Sequence, residues 1–236
     1  FRSQLPKEKN KLATIHYSSN IKFKKPDFTF SPNYELYQLG GMIDLGNYDK
    51  LTNQIMGYTH TNKWENICEL PTPLAYFAAS FHDNKIYIAG GATLDRRNEL
   101  RLFKNTAQYL DLQTNILHEI DPMYEARAKC NSFILNNSFY VIGGTWDDDD
   151  RVFGEVFDIN RGSWRLLEPI PLLVSWPCVA ADKSFIYVIG KSLDSERTYL
   201  QIYDSITREW DRSYETPYFV NTVHSSAYYH EKQIFI

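Results

Sequence analysis

The chain has 236 residues and a formal net charge of −4, with 43% hydrophobic and 23% charged residues. This length suits one large all-β domain or two small domains, and the composition is that of a globular chain with a core. The small negative charge gives no electrostatic reason to expect nucleic acid as a partner. No apolar run approaches the roughly 18 residues of a membrane helix, so we expect no membrane association either.

The three cysteines, Cys68, Cys130 and Cys178, include no Cys-x-x-Cys pair. An odd number without paired spacing argues against a disulfide framework and against a zinc site. We therefore expect these thiols to be small apolar core residues in a reducing compartment, which favours a cytoplasmic location. We expect no metal and no other cofactor.

The first 21 residues differ from the rest of the chain. They carry Arg2, Lys7, Lys9 and Lys11 and show little apolar periodicity. This segment is a linker from an upstream domain, a basic arm, or a solvated N-terminal extension. We expect a single repeat domain over residues 22–236.

One unit recurs through the remainder of the chain. Its apolar core reads ELYQLGG, KIYIAGG, SFYVIGG and FIYVIGK, and a final copy begins at Gln233. The aromatic column of these copies is Tyr37, Tyr87, Tyr140, Tyr187 and Phe235, with steps of 50, 53, 47 and 48 residues. A polar turn and another strand-like run precede each copy, which predicts a β-hairpin.

Glycines and tryptophans mark fixed positions in each unit. Glycine doublets supply unusual backbone angles and close backbone approach after the apolar strand. A second hairpin then ends on a large apolar residue, and a proline-bearing link leads to the next unit. The predicted structural marks are Gly40, Gly41, Gly90, Gly91, Gly143, Gly144, Gly190, Trp64, Trp164 and Trp210.

Four strands in each unit, no helical pattern and a period near 50 residues predict the blades of a β-propeller. Neighbouring blades must stack to bury their faces, and the Trp and Tyr columns are expected to pack between them. The Gly-Gly doublet and the Phe157-to-Trp164 spacing in EVFDINRGSW resemble the kelch repeat. The fold predicted is an all-β, kelch-type propeller of four-stranded antiparallel blades, incomplete, with about four blades and the start of a fifth.

Some units depart from this pattern. Gly57 stands where the first unit should have Tyr, Leu110 and Leu117 replace Tyr and Trp in the second, and the fourth has Gly190-Lys191. The resemblance implies six or seven blades in a closed ring, so we expect the chain to be a fragment of a longer protein.

Strand direction selects one face of the propeller for binding. Because four antiparallel strands alternate direction, loops 42–53, 92–105, 145–153 and 191–197 should share a face with links 70–76, 121–128, 169–177 and 215–221. A rigid scaffold presents such loops to partners, and Trp, Tyr and Arg are common interface anchors. The predicted partner-binding residues are Arg96, Arg97, Tyr124, Arg127, Trp146, Asp147, Asp148, Trp176, Lys191 and Tyr218.

Two loops on this face are strongly charged. TWDDDDR, residues 145–151, lacks the alternating ligands of an EF-hand. It is either a solvated loop or a contact for a basic partner, with a metal site the weakest interpretation. ATLDRRNELRLFKN, residues 92–105, is either a basic loop that reads an acidic peptide or a solvated loop.

Enzyme motifs are missing from the sequence. The six histidines show no paired ligand spacing, and neither a Gly-x-Ser-x-Gly nor a Walker motif occurs. The resemblance is closest to kelch domains of BTB-kelch adaptors for cullin-based ubiquitin ligases. It implies a non-enzymatic module that binds a protein or peptide substrate, while a BTB domain, absent here, recruits the cullin. The alternatives are a kelch-fold enzyme acting on a sugar (a copper oxidase or sialic acid isomerase) and a cytoskeletal scaffold.

Overall fold

The computed structural model describes residues 15–16, 34–42, 50–95, 100–144, 154–217, 227–230 and 233–235. Every regular element in these ranges is a β-strand. In chain order the strands are β1 (Ile15–His16), β2 (Tyr34–Met42), β3 (Leu51–Thr59), β4 (Trp64–Glu69), β5 (Ala78–His82), β6 (Lys85–Ala89), β7 (Ala92–Asp95), β8 (Leu100–Phe103), β9 (Ala107–Asp111), β10 (Ile116–Ile120), β11 (Asn131–Leu135), β12 (Ser138–Ile142), β13 (Gly154–Asp158), β14 (Ser163–Leu166), β15 (Val174–Ala181), β16 (Phe185–Ser192), β17 (Thr198–Asp204), β18 (Glu209–Trp210), β19 (Tyr214–Glu215), β20 (Tyr228–His230) and β21 (Gln233–Phe235).

Apart from β7 and β8, which pair with each other in a separate two-stranded sheet, these strands form five sheets, which we number as blades 1 to 5 along the chain. Blade 1 has the order β2-β3-β4, blade 2 β5-β6-β9-β10, blade 3 β11-β12-β13-β14 and blade 4 β15-β16-β17-β18, with β19 also on β17. Blade 5 contains β20 and β21, and β1 lies parallel to β21. The architecture confirms the predicted all-β propeller of four-stranded antiparallel blades.

The first strands of successive blades touch one another. β5 contacts β11, β11 contacts β15, and β15 contacts β20. Each first strand also lies at one edge of its sheet, with the later strands in order beyond it. The first strands therefore form the inner side of the described arc, and the last strands form its outer side, as in a propeller.

The core lies between blades, and the two-residue period of the second strand assigns side chains to opposite faces. In β12, Phe139 and Val141 pack with Tyr87 of blade 2, whereas Tyr140 and Ile142 pack with Val188 of blade 4. β6 and β16 divide their apolar residues between neighbouring blades in the same manner. Consequently blades 2, 3 and 4 each bury apolar residues against the blade before and the blade after.

The glycine doublets of blades 1, 2 and 3 all have positive φ, from +44° to +106°. A Cβ on Gly90 would lie 2.5 Å from the Arg127 carbonyl oxygen, and one on Gly144 would lie 2.3 Å from that of Ala128. The doublets are therefore required because an inter-blade link passes directly over them. Blade 4 differs, since β16 continues as a strand through Gly190 and Lys191.

The tryptophan column ties two blades to the links before them. The indole Nε1 of Trp164 donates to the Asp121 carbonyl at 2.6 Å, and that of Trp210 donates to the Glu168 carbonyl at 2.8 Å. Both rings also pack in the clusters between adjacent blades, which confirms the predicted role. Trp64 of blade 1 is instead 44% exposed and contacts Tyr58.

The irregular residue of blade 1 has a steric reason. A Cβ on Gly57 would lie 2.4 Å from the ring of Tyr34. The Tyr34 ring therefore covers the position where the other blades carry a larger side chain.

No helix within the described ranges is long and apolar enough to cross a membrane.

Candidate functional site

Backbone hydrogen bonds join the second loop to the links on both sides of it. Ala75 and Ala92 exchange two bonds of 3.0 and 2.7 Å, which connect the link before blade 2 to the loop. Arg127 N donates to the Lys104 carbonyl at 3.0 Å, and Met123 N donates to that of Asn105 at 2.8 Å. Loop 92–105 therefore lies on the same face as links 70–76 and 121–128, as predicted. We call this surface the loop face.

The end of β2, where the first loop begins, and the fourth loop lie on the same face. Gly41 N donates to the Leu74 carbonyl at 2.8 Å, and Leu193 N donates to that of Leu173 at 3.1 Å. Arg197 Nη1 contacts both carboxylate oxygens of Glu215 at 2.9 and 2.7 Å, and these hydrogen bonds raise the Arg197 pKa. Loop 145–153 lies outside the described residues.

The predicted second loop is a β-hairpin. Its arms β7 and β8 pair from Ala92↔Phe103 to Asp95↔Leu100. The alternation of Leu100, Arg101 and Leu102 carries the period of a strand, but the charged residues around it favoured a loop interpretation. Arg96 and Arg97 lie outside the described residues.

The prediction that Arg127 anchors a partner at the surface is wrong. The side chains of Arg127 and Glu155 are both 0% exposed and form an ion pair of 3.1 Å. Arg127 Nη1 also donates to the Gly143 carbonyl at 2.9 Å. Sequence could not show this, because the link turns Arg127 inward only when blades 2 and 3 have packed.

Glu155 fixes the link that precedes blade 3. Its carboxylate accepts the backbone N–H of Tyr124 at 2.8 Å and that of Glu125 at 3.1 Å, besides the contact with Arg127. These bonds hold the start of the loop-face link against β13. We call this set the Arg127–Glu155 clamp, and it makes the link a rigid platform on the loop face.

Gln201 performs the same task in blade 4. It is paired in register with Val188, as Glu155 is paired with Val141 in blade 3. Its amide accepts from Leu172 N at 2.8 Å and donates to the Leu172 carbonyl at 2.7 Å. Gln108 is the corresponding buried residue of blade 2. Sequence analysis missed this polar column, although a Gln or Glu inside an apolar strand is an available signal.

Two other predicted residues lie on the loop face. Tyr124 is 65% exposed, and its hydroxyl donates to the Trp164 carbonyl at 3.1 Å. Lys191 is half-buried and forms an ion pair with Glu196. Trp176 lies in β15, and nothing is described of its side chain. Trp146, Asp147, Asp148 and Tyr218 lie outside the described residues.

The described face combines these polar groups with apolar side chains. Tyr124, Leu102 of the β7–β8 hairpin and Leu193 of the fourth loop are exposed large residues. Lys129 lies over the Tyr76 ring at 5.7 Å, which fixes one aromatic residue of the first link. Aromatic and apolar groups within a polar surround are typical of a protein-binding surface.

The described side chains offer little reactive chemistry. Burial raises the pKa of the Cys130 and Cys178 thiols to about 11, so both stay protonated at neutral pH. Within the described ranges, no group of three or more His, Cys, Asp or Glu side chains is placed to hold a metal ion. His82 Nε2 lies 3.0 Å from Asn137 Oδ1 in a turn away from the loop face.

Comparison with known proteins identifies relatives of one kind. Kelch repeat and BTB domain-containing protein 12 of Danio rerio is 26% identical over 195 residues, covering 74% of this chain and 30% of that protein. Kelch-like protein 38 of Rattus norvegicus is 25% identical over 179 residues, covering 74% and 30% respectively. Kelch repeat and BTB domain-containing protein 2 of Cowpox virus is 25% identical over 153 residues, covering 64% and 27%.

These relatives confirm the resemblance to the kelch repeats of BTB-kelch and kelch-like proteins. The chain spans less than a third of the length of these relatives. No protein-family model matches it.

Proposed function

We propose that this chain, whose kelch repeats are similar to those of BTB-kelch proteins, is a protein-interaction module that recognises a partner through its loop face. The observation that carries the proposal is that backbone hydrogen bonds join the loops to the links on one side of a rigid β-scaffold. Loops held in this manner lose little conformational entropy on binding, which favours affinity. The exposed Tyr124 and Leu193 supply apolar contact area on the same surface.

We further propose that the partner is a substrate of a cullin-based ubiquitin ligase. The support is the similarity to proteins named for both kelch repeats and a BTB domain. In the full-length protein a BTB domain would recruit the cullin, and the propeller would select the substrate.

The test is co-precipitation from cells with the tagged full-length protein. The double variant Arg96→Ala, Arg97→Ala should reduce recovery of the partner, because desolvated arginines often anchor interfaces. Lys183→Ala, which removes one positive charge at the β15–β16 turn away from the loop face, is the control and should leave recovery unchanged. Equal losses from both changes would show that the loop face has no special role.

The ligase assignment needs its own readout. We expect a cullin to co-precipitate with the full-length protein, and the two arginine substitutions should leave that interaction intact. Partner binding without any cullin would retain the interaction module and overturn the ligase assignment.

A further inference from the structure

A polar cavity of about 240 Å³ lies between blades 3 and 4, at the end of the strands away from the loop face. Blade 3 contributes Tyr140, Arg161, Ser163 and Arg165 to its walls, and blade 4 contributes Ser205 and Arg208 from the β17–β18 turn; Asn136, Ser138, Val156, Asp158 and Trp164 complete the lining. The cavity therefore exists only where these two blades meet.

Three arginines and one aspartate line this cavity, so its lining carries a net positive charge. Asp158 lies 3.6 Å from Arg161, and Arg165 Nη1 lies 3.7 Å from Glu168. Within the described part of the chain, Arg208 has no carboxylate at ion-pair distance. An excess of guanidinium groups around a cavity favours an anionic ligand.

Hydroxyl groups supplement the arginines. Among the described residues, the buried Ser205 Oγ has no hydrogen-bond partner, although it lies in the cavity wall. A buried hydroxyl without a partner costs free energy unless a ligand or water satisfies it. Tyr140, Arg165 and Arg208 all line the cavity. Burial raises the pKa of Tyr140, and the positive charges of Arg165 and Arg208 oppose that rise.

The backbone of Arg208 gives an independent indication. The β3–β4, β9–β10 and β13–β14 turns place Asn62, Asn115 and Gly162 two residues before the Trp or Leu column, with φ of 60°, 57° and 69°. Asn and Gly tolerate this left-handed conformation best. The β17–β18 turn has Arg208 there, with φ of 61°. The three preceding blades carry Asn or Gly at this position, whereas blade 4 has a strained arginine. A ligand-binding role of the Arg208 side chain in the cavity would explain why the strain is retained.

We propose that this cavity binds a phosphate monoester, either a free metabolite or a phosphorylated side chain of a protein partner. A phosphate monoester carries a charge of about −1.5 to −2 and three acceptor oxygens. Arginine forks from Arg161, Arg165 and Arg208 and hydroxyls from Ser163 and Ser205 supply donors from several directions. A carboxylate has only two oxygens and one charge, so it would leave more of these donors without a partner.

The test is calorimetric titration of the 236-residue chain with two probes, O-phosphoserine and a short peptide that contains one phosphoserine. Both should bind saturably, whereas the same peptide with serine should not bind. A peptide that binds more tightly than O-phosphoserine identifies a protein partner, and equal affinities identify a free monoester. Absence of saturable binding by both probes would overturn the proposal, as would equally tight binding of the peptide with glutamate in place of phosphoserine.

The variant Arg208→Asn distinguishes specific binding in the cavity from non-specific electrostatic attraction of the phosphate to the protein surface. It should weaken binding about tenfold, the value of a charge-assisted hydrogen bond of ~1.5 kcal/mol. Because Asn accepts the left-handed conformation, the variant should fold at least as stably as the original chain. Lys63→Asn, in the equivalent turn of blade 1, removes the same charge and should change affinity less than about twofold. Equal losses in the two variants, or none in Arg208→Asn, would sink the proposal.

Discussion

Blades 3 and 4 hold the links before them from the same strand position but with different chemistry. Blade 3 uses the charged pair of Glu155 and Arg127, both without exposed surface. Blade 4 uses the neutral Gln201, and Val174 occupies the link position that corresponds to Arg127. Blades 3 and 4 therefore share a buried hydrogen-bonding group at this position of the third strand, and of the two only the group of blade 3 is charged.

The difference has a physical cost. A buried ion pair loses the hydration of both ions and is stable only with good geometry and further hydrogen bonds. Glu155 meets this condition through the two backbone N–H groups of Tyr124 and Glu125. Gln201 needs no countercharge, and its amide bonds both polar groups of Leu172. The charged clamp is therefore the more vulnerable of the two to substitution.

The largest expected effect comes from removing the negative charge of the Arg127–Glu155 ion pair in blade 3. Glu155→Gln keeps an acceptor for Tyr124 N but leaves the buried Arg127 guanidinium without a countercharge. We expect the free energy of unfolding to fall by about 3–5 kcal/mol, measured by urea denaturation.

A double variant sharpens this test. Glu155→Gln combined with Arg127→Val gives blade 3 the residues of blade 4 and should recover about half of the loss or more, because no unpaired ion stays buried. If the double variant loses as much free energy of unfolding as Glu155→Gln and Arg127→Val lose in sum, the comparison between the blades is wrong.

The glycine doublet provides the second test. Gly144→Lys introduces the residue that blade 4 carries as Lys191, but at a φ of 75° and with a Cβ 2.3 Å from the Ala128 carbonyl oxygen. We expect the free energy of unfolding, measured by thermal denaturation, to fall by about 2 kcal/mol or more. The reciprocal Lys191→Gly should cost only about 0.5–1 kcal/mol, because β16 is a regular strand there. Similar costs in both directions would contradict the structural difference.

The tryptophans offer a third test with an internal control. Trp164→Phe and Trp210→Phe each remove the indole donor to a link carbonyl and should lower stability by about 1–2 kcal/mol. Trp64→Phe should change stability by less than about 0.5 kcal/mol, because the Trp64 side chain is largely exposed. A comparable loss in Trp64→Phe would show that the losses at Trp164 and Trp210 do not come from their indole bonds to the links.

The smallest expected change is a gain. Arg208→Gly gives the β17–β18 turn the residue that the β13–β14 turn carries as Gly162. It relieves backbone strain, because a residue with a Cβ disfavours the left-handed conformation that Arg208 adopts. We expect stability to rise by about 0.5 kcal/mol, seen as a higher midpoint of thermal unfolding. A lower midpoint would show that the Arg208 side chain stabilises the blade by its own contacts.

Much of the architecture could be predicted from the sequence. The aromatic column at Tyr87, Tyr140 and Tyr187, together with the glycine doublets, predicted the blades and their hairpins. The alternation of strand direction predicted the loop face, which the Ala75–Ala92 bonds confirm. The partner-binding role of Tyr124 and Lys191 stays a prediction.

Other features escaped sequence reasoning for identifiable reasons. Charged residues concealed the β7–β8 hairpin, whose pairing depends on a partner strand as much as on its own residues. Arg127 looked like a surface anchor because arginine is rarely buried without a partner, and its partner Glu155 lies in another blade. By contrast, the turns that begin at Asp158 and Asp204 depend on local contacts, because each aspartate accepts two backbone N–H groups of its own turn.

The sequence alone determined what is local and repeated: the strands, their hairpins, the blade period and the glycine and tryptophan columns. These features depend on side-chain alternation and turn chemistry within a few residues, which every copy of the unit repeats. Only the tertiary structure decided what lies between units: the burial of Arg127 against Glu155, the neutral substitute at Gln201 and the arginine-lined cavity of blades 3 and 4. Each of these joins residues about 30 or more positions apart, and their proximity arises from the packing of one blade on the next.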